Sequence, residues 1–493
     1  LLFWIFVRGF ATAFMLVLHS TLVLKYSNLA NTATNGIYKI LISVQDMQKY
    51  LFKNIQVVNE GKTITTDVLT DGERIEKLAS SIDCKGKVTE IIGEGKCLLP
   101  GVIDNHVHFR EPGLTYKGTL YTESKAAVAG GTTSFMDMPN TIPPTFTQAL
   151  LEEKFAMASR TSLANYSFYM GTSNDNADEV LRTNDKKKEV CGIKIFMGSS
   201  TGNLLLDNPV TLSKLFSESE ILIATHCEDE RIMKENYDRL QSEGRELTAA
   251  DHPIIKDDIE CFESSLFAIQ LAKKYGSRLH ILHITTEKEL QLFSNMLPLN
   301  EKLITSEACV HHLHFTSDDY ATLGNKIKCN PAIKAPHNRT ALWKAVNDDI
   351  IDSISTDHAP HLPEEKNVPY EKAHGGVPFV QHSLSMMLHY VKEGKISIEK
   401  VVQKMSHNIA TIYQIKDRGF IREGYYADLV LVDRNRPCTV TSENVLSKCG
   451  WSPLEGFTFP ATIERTFVNG TMVYGNEGWD ESVKGKRILF ERD

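Results

Sequence analysis

The sequence predicts an α/β fold: a TIM-type (β/α)8 barrel with a small β-sandwich domain built from both termini. Eight short apolar runs follow one another with amphipathic or polar helical stretches between them, and several of these runs have histidine or aspartate at or just beyond their ends. The flanks instead carry shorter alternating runs set off by turn dipeptides. Strand alternating with helix implies right-handed βαβ units and a parallel sheet, and eight such units are the number that closes a barrel. An open doubly wound sheet would want a G-x-G-x-x-G after its first strand, and none is present.

At 493 residues the chain is too long for one ordinary compact domain. Residues 1–46 are expected to be an extension outside the native fold: Leu1 to Leu24 is strongly apolar, broken by Arg8 and His19, and a better start stands at Met47. Its uninterrupted apolar run is shorter than the roughly 20 residues of a membrane span. Residues 47–98 form the first part of the small domain, with turn signals at Asn59-Glu60-Gly61 and Asp71-Gly72. The barrel occupies 99–418. Its runs are Gly101–Phe109, Thr133–Met138, Tyr166–Gly171, Gly192–Met197, Ile221–Thr225, Leu279–Ile284, Leu303–Ala308 and Ile350–Ser355. Helices are expected over Tyr121–Ala129 and Glu260–Lys274, the latter with Phe262, Leu266, Ile269 and Ala272 at helical spacing. Residues 419–493 complete the small domain, with Asn469-Gly470 as a further turn.

Hydrophobic residues are 42% and charged residues 24%, the balance of a globular protein with a proper core. A net charge of -8 argues against a general nucleic-acid binder. The nine cysteines, scattered and without a C-x-x-C pair, point to reduced thiols and a cytoplasmic location.

Residues two apart on a strand share a face, so His106 and His108 point together into the barrel mouth, where two imidazoles can hold one divalent ion. His226 stands at the end of the fifth run just past Thr225, His283 one residue before the end of the sixth and Asp357 two residues past the eighth, while Lys194 lies within the fourth. Ligand-type side chains at so many strand ends are hard to explain as packing, because core histidines need satisfied nitrogens. Arg110 follows His108 by one face repeat and can grip a carboxylate with two parallel hydrogen bonds. Asn140, at the end of the second strand, and His361, just beyond the eighth, can add to that grip. The cluster Val310-His311-His312-Leu313-His314 is read as strand, its consecutive histidines facing opposite ways and therefore not joint ligands.

The string from Pro100-Gly101-Val102-Ile103-Asp104 through His106-Val107-His108-Phe109-Arg110-Glu111-Pro112-Gly113 resembles the amidohydrolase superfamily, specifically its cyclic-amidase branch. Asp137-Met138-Pro139-Asn140-Thr141 and Asp357-His358-Ala359-Pro360-His361 are similar to dihydroorotase motifs, and Ala427-Asp428-Leu429-Val430 also resembles the branch. The resemblance spans roughly residues 50 to 475. It implies two divalent ions, most often zinc. His106, His108 and Asp357 would bind one, His226 and His283 the other, and Lys194 would bridge them after carboxylation. Asp357 would also be the catalytic proton shuttle. Arg110, Asn140 and His361 would hold the carboxylate of dihydroorotate, and Asn330 would contact the ring, although a turn before Pro331 explains Asn330 equally well.

The implied reaction is reversible closure of N-carbamoyl-L-aspartate to L-dihydroorotate in pyrimidine synthesis. A hydantoinase, dihydropyrimidinase or allantoinase is the alternative within the branch, and a catalytically silent scaffold the alternative outside it. The implied partners are the small-molecule substrate, a second copy of the chain in a homodimer, and aspartate transcarbamoylase. Phe379 and Gln381 depart from the branch, standing where relatives often have glycine and an acid, and Lys334 stands where many dihydroorotases have arginine.

Overall fold

The computed structural model describes residues 48–198, 204–475 and 477–492, so the expectation for residues 1–46 lies outside the described residues. Eight strands pair in sequence order in one parallel sheet. They are Val102–Val107, Thr132–Asp137, Asn165–Gly171, Gly192–Met197, Ile223–Cys227, Leu279–Ile281, Ile304–Cys309 and Ser353–Ser355. A parallel bridge from Val107 to His358, and a 2.7 Å hydrogen bond donated by His108 N to the His358 carbonyl, bring the eighth strand back to the first. Each expected run overlaps its strand, with ends that differ by no more than three residues.

Two of the later strands are shorter than their runs. The sixth stops at Ile281 because His283 turns into the left-handed region at φ 40°, but Ile284 N still donates to the Glu307 carbonyl across the sheet. The eighth begins only at Ser353, after a turn through Asp349 at φ 60°. The expected helices form over Leu120–Ala129 and Asp258–Tyr275. In the second, Asp257 caps the Ile259 and Glu260 amides and Gly276 ends the helix at φ 73°. Its deepest face runs through Cys261, Ser265, Ala268 and Ala272, so Phe262 and Leu266 sit at the margin of the core. Small residues let the helix lie close on the sheet.

The histidine cluster departs from the strand expected for it. The seventh strand ends at Cys309, and Val310–His314 is a short helix, not strand. The rings of His311 and His312 nevertheless lie side by side, with centres 4.1 Å apart.

The second sheet is mixed and nine-stranded, drawing Lys49–Asn59 to Lys96–Pro100 from the amino-terminal side and Leu429–Asp433 to Gly478–Trp479 from the carboxyl-terminal side. Its hairpins turn where expected: Glu60 and Gly61, then Asn469 and Gly470, both take positive φ, the geometry of a tight two-residue hairpin. Ile75 N donates to the Tyr425 carbonyl and Ala427 N to the Glu73 carbonyl. These bonds curl the sheet around Tyr50, Phe52, Val68, Leu98, Leu429 and Phe467. Gly101 carries the chain from this sheet into the first barrel strand, passing so close to Thr133 that a Cβ would lie 2.1 Å from its hydroxyl. Among the described residues no helix is long and apolar enough to cross a membrane, and all nine cysteines are free.

Candidate functional site

The carboxyl-terminal ends of the barrel strands surround a cavity of about 140 Å³. His106, His108, Lys194, His226, His283 and Asp357 line it, and so do Arg110, Asn140, Asn330 and His361. Residues from across the barrel sequence thus meet at one place. Three of them, Arg110 at φ 73°, His283 at φ 40° and Asp357 at φ 46°, hold backbone conformations that non-glycine residues rarely adopt. Such strain gathers where a side chain must be aimed.

The Asp357 carboxylate stands 3.1 Å from His106 Nε2 and 3.0 Å from His108 Nε2. The other ring nitrogens are already committed: His106 Nδ1 donates to Glu307 Oε1 at 2.8 Å and His108 Nδ1 to Asn140 Oδ1 at 2.6 Å. Both Nε2 atoms therefore face the cavity, the arrangement in which outer partners orient metal-ligating imidazoles. The donor atoms of His106, His108 and Asp357 lie within 4.8 Å of one another. Opposite them, His226 Nδ1 and His283 Nε2 are 2.8 Å apart, and His226 Nε2 bonds Glu228, which is in turn paired with Lys256 at 2.7 Å. The residues fit two divalent ions: two imidazoles and a carboxylate on one side, two imidazoles on the other, and Lys194 in the same cavity.

Charge follows burial here. Burial opposes a charged His106, yet the Asp357 and Glu307 carboxylates raise it to about 9. Burial lowers His108, His226 and His283 below the usual histidine range, favouring the neutral form that binds metals. Burial would push Asp357 up, but His106 and His108 hold it well below the usual carboxylate range. Lys194 is 1% exposed and lowered by burial to about 7. Among the described residues its ammonium has no acid or hydrogen-bond partner, only the Phe196 ring 4.4 Å away. A buried lysine kept for an ion pair would have an acid beside it.

Arg110 is equally unpaired. Its Nε donates to the Pro360 carbonyl at 3.1 Å and its Nη2 lies 3.0 Å from His361 Nε2, with no carboxylate partner among the described residues. Neighbouring Glu111 instead accepts from Leu120 N. Lys117 reaches His361 Nδ1 at 2.9 Å and is anchored to Glu365 at 2.8 Å. Asn330 Oδ1 is buried without a hydrogen bond. Phe379 and Gln381 are not part of the cavity wall: Phe379 packs toward His311 and Phe315, while Gln381 clamps residues 444 and 446 through its amide. Lys334 is buried, donating to the Lys256 and Asp257 carbonyls.

Sequence reasoning missed the acids behind the ligands. Glu307 orients His106, Glu228 orients His226, and Asp104 accepts from Thr356 and from His106 N to tie the first strand to the eighth. Asp137 receives Lys154 at 2.5 Å and Phe109 N at 2.7 Å, which fixes the strand end preceding Asn140. Asp104, Asp137 and Glu307 were signalled only as acids inside the expected runs, and Glu228, past the end of its run, carried no such signal. Glu307→Gln keeps the shape and loses the charge. It is expected to weaken metal affinity about 10–100-fold in a competitive chelator titration; an unchanged affinity would remove Glu307 from that role.

The amidohydrolase family model matches residues 97–473. Dihydroorotase from Pyrococcus furiosus is 32% identical over 445 residues, covering 88% of this chain and 96% of that protein. Allantoinase from Desulfitobacterium hafniense is 30% identical over 435 residues, covering 86% and 95%. Among solved structures, L-hydantoinase (dihydropyrimidinase) from Arthrobacter aurescens superposes with a TM-score of 0.82 at 24% identity, covering 90% of this chain and all of that one, a likeness of fold.

Proposed function

The chain belongs to the amidohydrolase family, within the branch that hydrolyses cyclic amides, and on that premise we propose that it is a dihydroorotase. The reaction is reversible closure of N-carbamoyl-L-aspartate to L-dihydroorotate and water. One observation carries the choice of ring: Arg110 is a buried guanidinium at the cavity with no acid partner among the described residues. A neutral hydantoin or dihydrouracil leaves that charge uncompensated, whereas the dihydroorotate carboxylate satisfies it with two parallel hydrogen bonds.

His106, His108 and Asp357 would hold one ion, His226 and His283 the other, with Lys194 bridging as a carbamate, whose two oxygens act like a carboxylate. Bound there, a pair of divalent ions, zinc by the donor set, supplies Lewis acidity and lowers the pKa of water. Asp357 takes a proton at its carboxylate and returns it to the departing ring nitrogen. Arg110 and His361 fix the substrate carboxylate, and the Asn140 amide nitrogen, left free by the bond from His108, adds a donor. The Asn330 carbonyl oxygen, buried and unbonded, accepts from a ring N–H. A homodimer, association with aspartate transcarbamoylase and a cytoplasmic location belong to the same reading, on the resemblance in sequence.

Closure converts a carboxylate into a neutral imide carbonyl and takes up one proton. The equilibrium ratio of ring to open form is expected to fall about tenfold per pH unit above the carboxylate range; a ratio indifferent to pH would contradict the assignment. The direct test is a panel of dihydroorotate, hydantoin, dihydrouracil and allantoin with the metal-loaded protein. Preference for dihydroorotate supports the reading, and preference for an uncharged ring overturns it.

A further inference from the structure

The short helix after the seventh strand does something the catalytic cavity does not require. Cys309 Sγ and one nitrogen from each of His311 and His312 come within 4.8 Å of one another. All three residues are buried, His311 completely. Neither ring nitrogen of His311 makes a hydrogen bond, and neither does His312 Nδ1. Buried polar atoms are nearly always paired, so three orphaned imidazole nitrogens at one spot need an explanation. The Thr356 carbonyl faces His311 without good hydrogen-bond geometry.

We propose that Cys309, His311 and His312 bind a third divalent ion of the zinc class, separate from the pair in the catalytic cavity and independent of the substrate assigned above. The donor set is one sulfur and two imidazoles, the mixture that favours zinc over calcium or magnesium. His312 is held in place by its other nitrogen: Nε2 lies 3.1 Å from the Pro331 carbonyl and donates to it, which leaves Nδ1 as the unbonded nitrogen. Ser355 Oγ, 3.6 Å from Cys309 Sγ, can donate to a thiolate. The sulfur also lies 3.7 Å from Glu307 Oε1. Burial and the carboxylates of Glu307 and Asp357 keep the bare thiol protonated, so loading releases the thiol proton to solvent and places a cation among those acids. The Phe379 ring, 6.1 Å from that of His311, covers the site on one side. A third ion here fixes the end of the strand that carries Glu307, the acid orienting His106.

None of the catalytic ligands named above contains sulfur, but Cys309 also stands within 4.8 Å of donor atoms of His106 and Glu307, so the two centres are told apart by a thiolate band that depends on His311 as well as on Cys309. The full-length protein, stripped of metal and titrated with Co²⁺, should develop a near-ultraviolet sulfur-to-cobalt charge-transfer band. Cys309→Ser should abolish the band and remove one metal equivalent from elemental analysis, whereas Cys227→Ser, at the thiol beside His226, should leave it. If Cys309→Ser does not fold, His311→Gln keeps the thiol and should lower Co²⁺ affinity for the band at least tenfold. A wild-type protein that fills the catalytic pair with no thiolate band, or whose band survives Cys309→Ser, overturns the third site and leaves the catalytic reading intact. A protein that takes up no Co²⁺ at all overturns both.

Discussion

Asp357→Asn is expected to lower kcat for dihydroorotate about 10²–10⁴-fold, the range contributed by a positioned acid–base group. The carboxylate lies between His106 Nε2 and His108 Nε2 at 3.1 and 3.0 Å, at the edge of the cavity, on a backbone turned to φ 46°. Asparagine keeps the shape and one oxygen in that position but cannot accept and return a proton. The substitution therefore separates two duties that the wild-type side chain combines, holding an ion and moving a proton. Metal content by elemental analysis and Tm should be read alongside kcat. A variant that keeps its metals and turns over at near-normal rate removes Asp357 from the shuttle role and leaves it a ligand only.

The second large effect is expected at Arg110, and it should depend on the substrate. Truncating one member of a buried, hydrogen-bonded charge pair costs about 2–5 kcal/mol, so Arg110→Met should lower kcat/KM for dihydroorotate roughly 30- to 5,000-fold. Arg110→Lys should recover only part of the loss, because an ammonium cannot reproduce the planar fork of the guanidinium. For a ring without a carboxylate the same variants should change kcat/KM by less than about threefold, since the arginine has nothing to pair with. Tm should not fall in Arg110→Met, because folding no longer has to bury an unpaired cation. A loss of equal size on charged and uncharged rings would mean that Arg110 supports the cavity wall and does not read the substrate.

The barrel was legible in the sequence because each strand is a local event: a run of apolar residues with a polar end, separated from the next by a helix of the right length. Strand ends were less legible where a functional residue bends the chain, as at His283, whose left-handed φ stops the sixth strand at Ile281. The histidines and Lys194 were legible because such side chains are uncommon in or beside apolar runs and several recurred together, whereas the roles of Arg110, Asn140, His361 and Asn330 came from the resemblance. The acids behind the histidines were not legible. Glu307 is 201 positions from His106, and only the closed barrel brings the pair to 2.8 Å. The histidine cluster was misread for a related reason. Val310-His311-His312 continues an apolar strand without a breaker, and the change to helix at Cys309 depends on what packs around it. Phe379 and Gln381 show the converse: both depart from the branch pattern, yet each is occupied with packing outside the cavity wall.

Anomalous diffraction at the zinc edge, from a crystal of the metal-loaded protein, is the most direct measurement. The account predicts two peaks about 3.5–4 Å apart inside the ring of His106, His108, His226, His283 and Asp357, with branched density joining Lys194 to both. No peak within that ring, or a single peak with Lys194 unmodified, would contradict it.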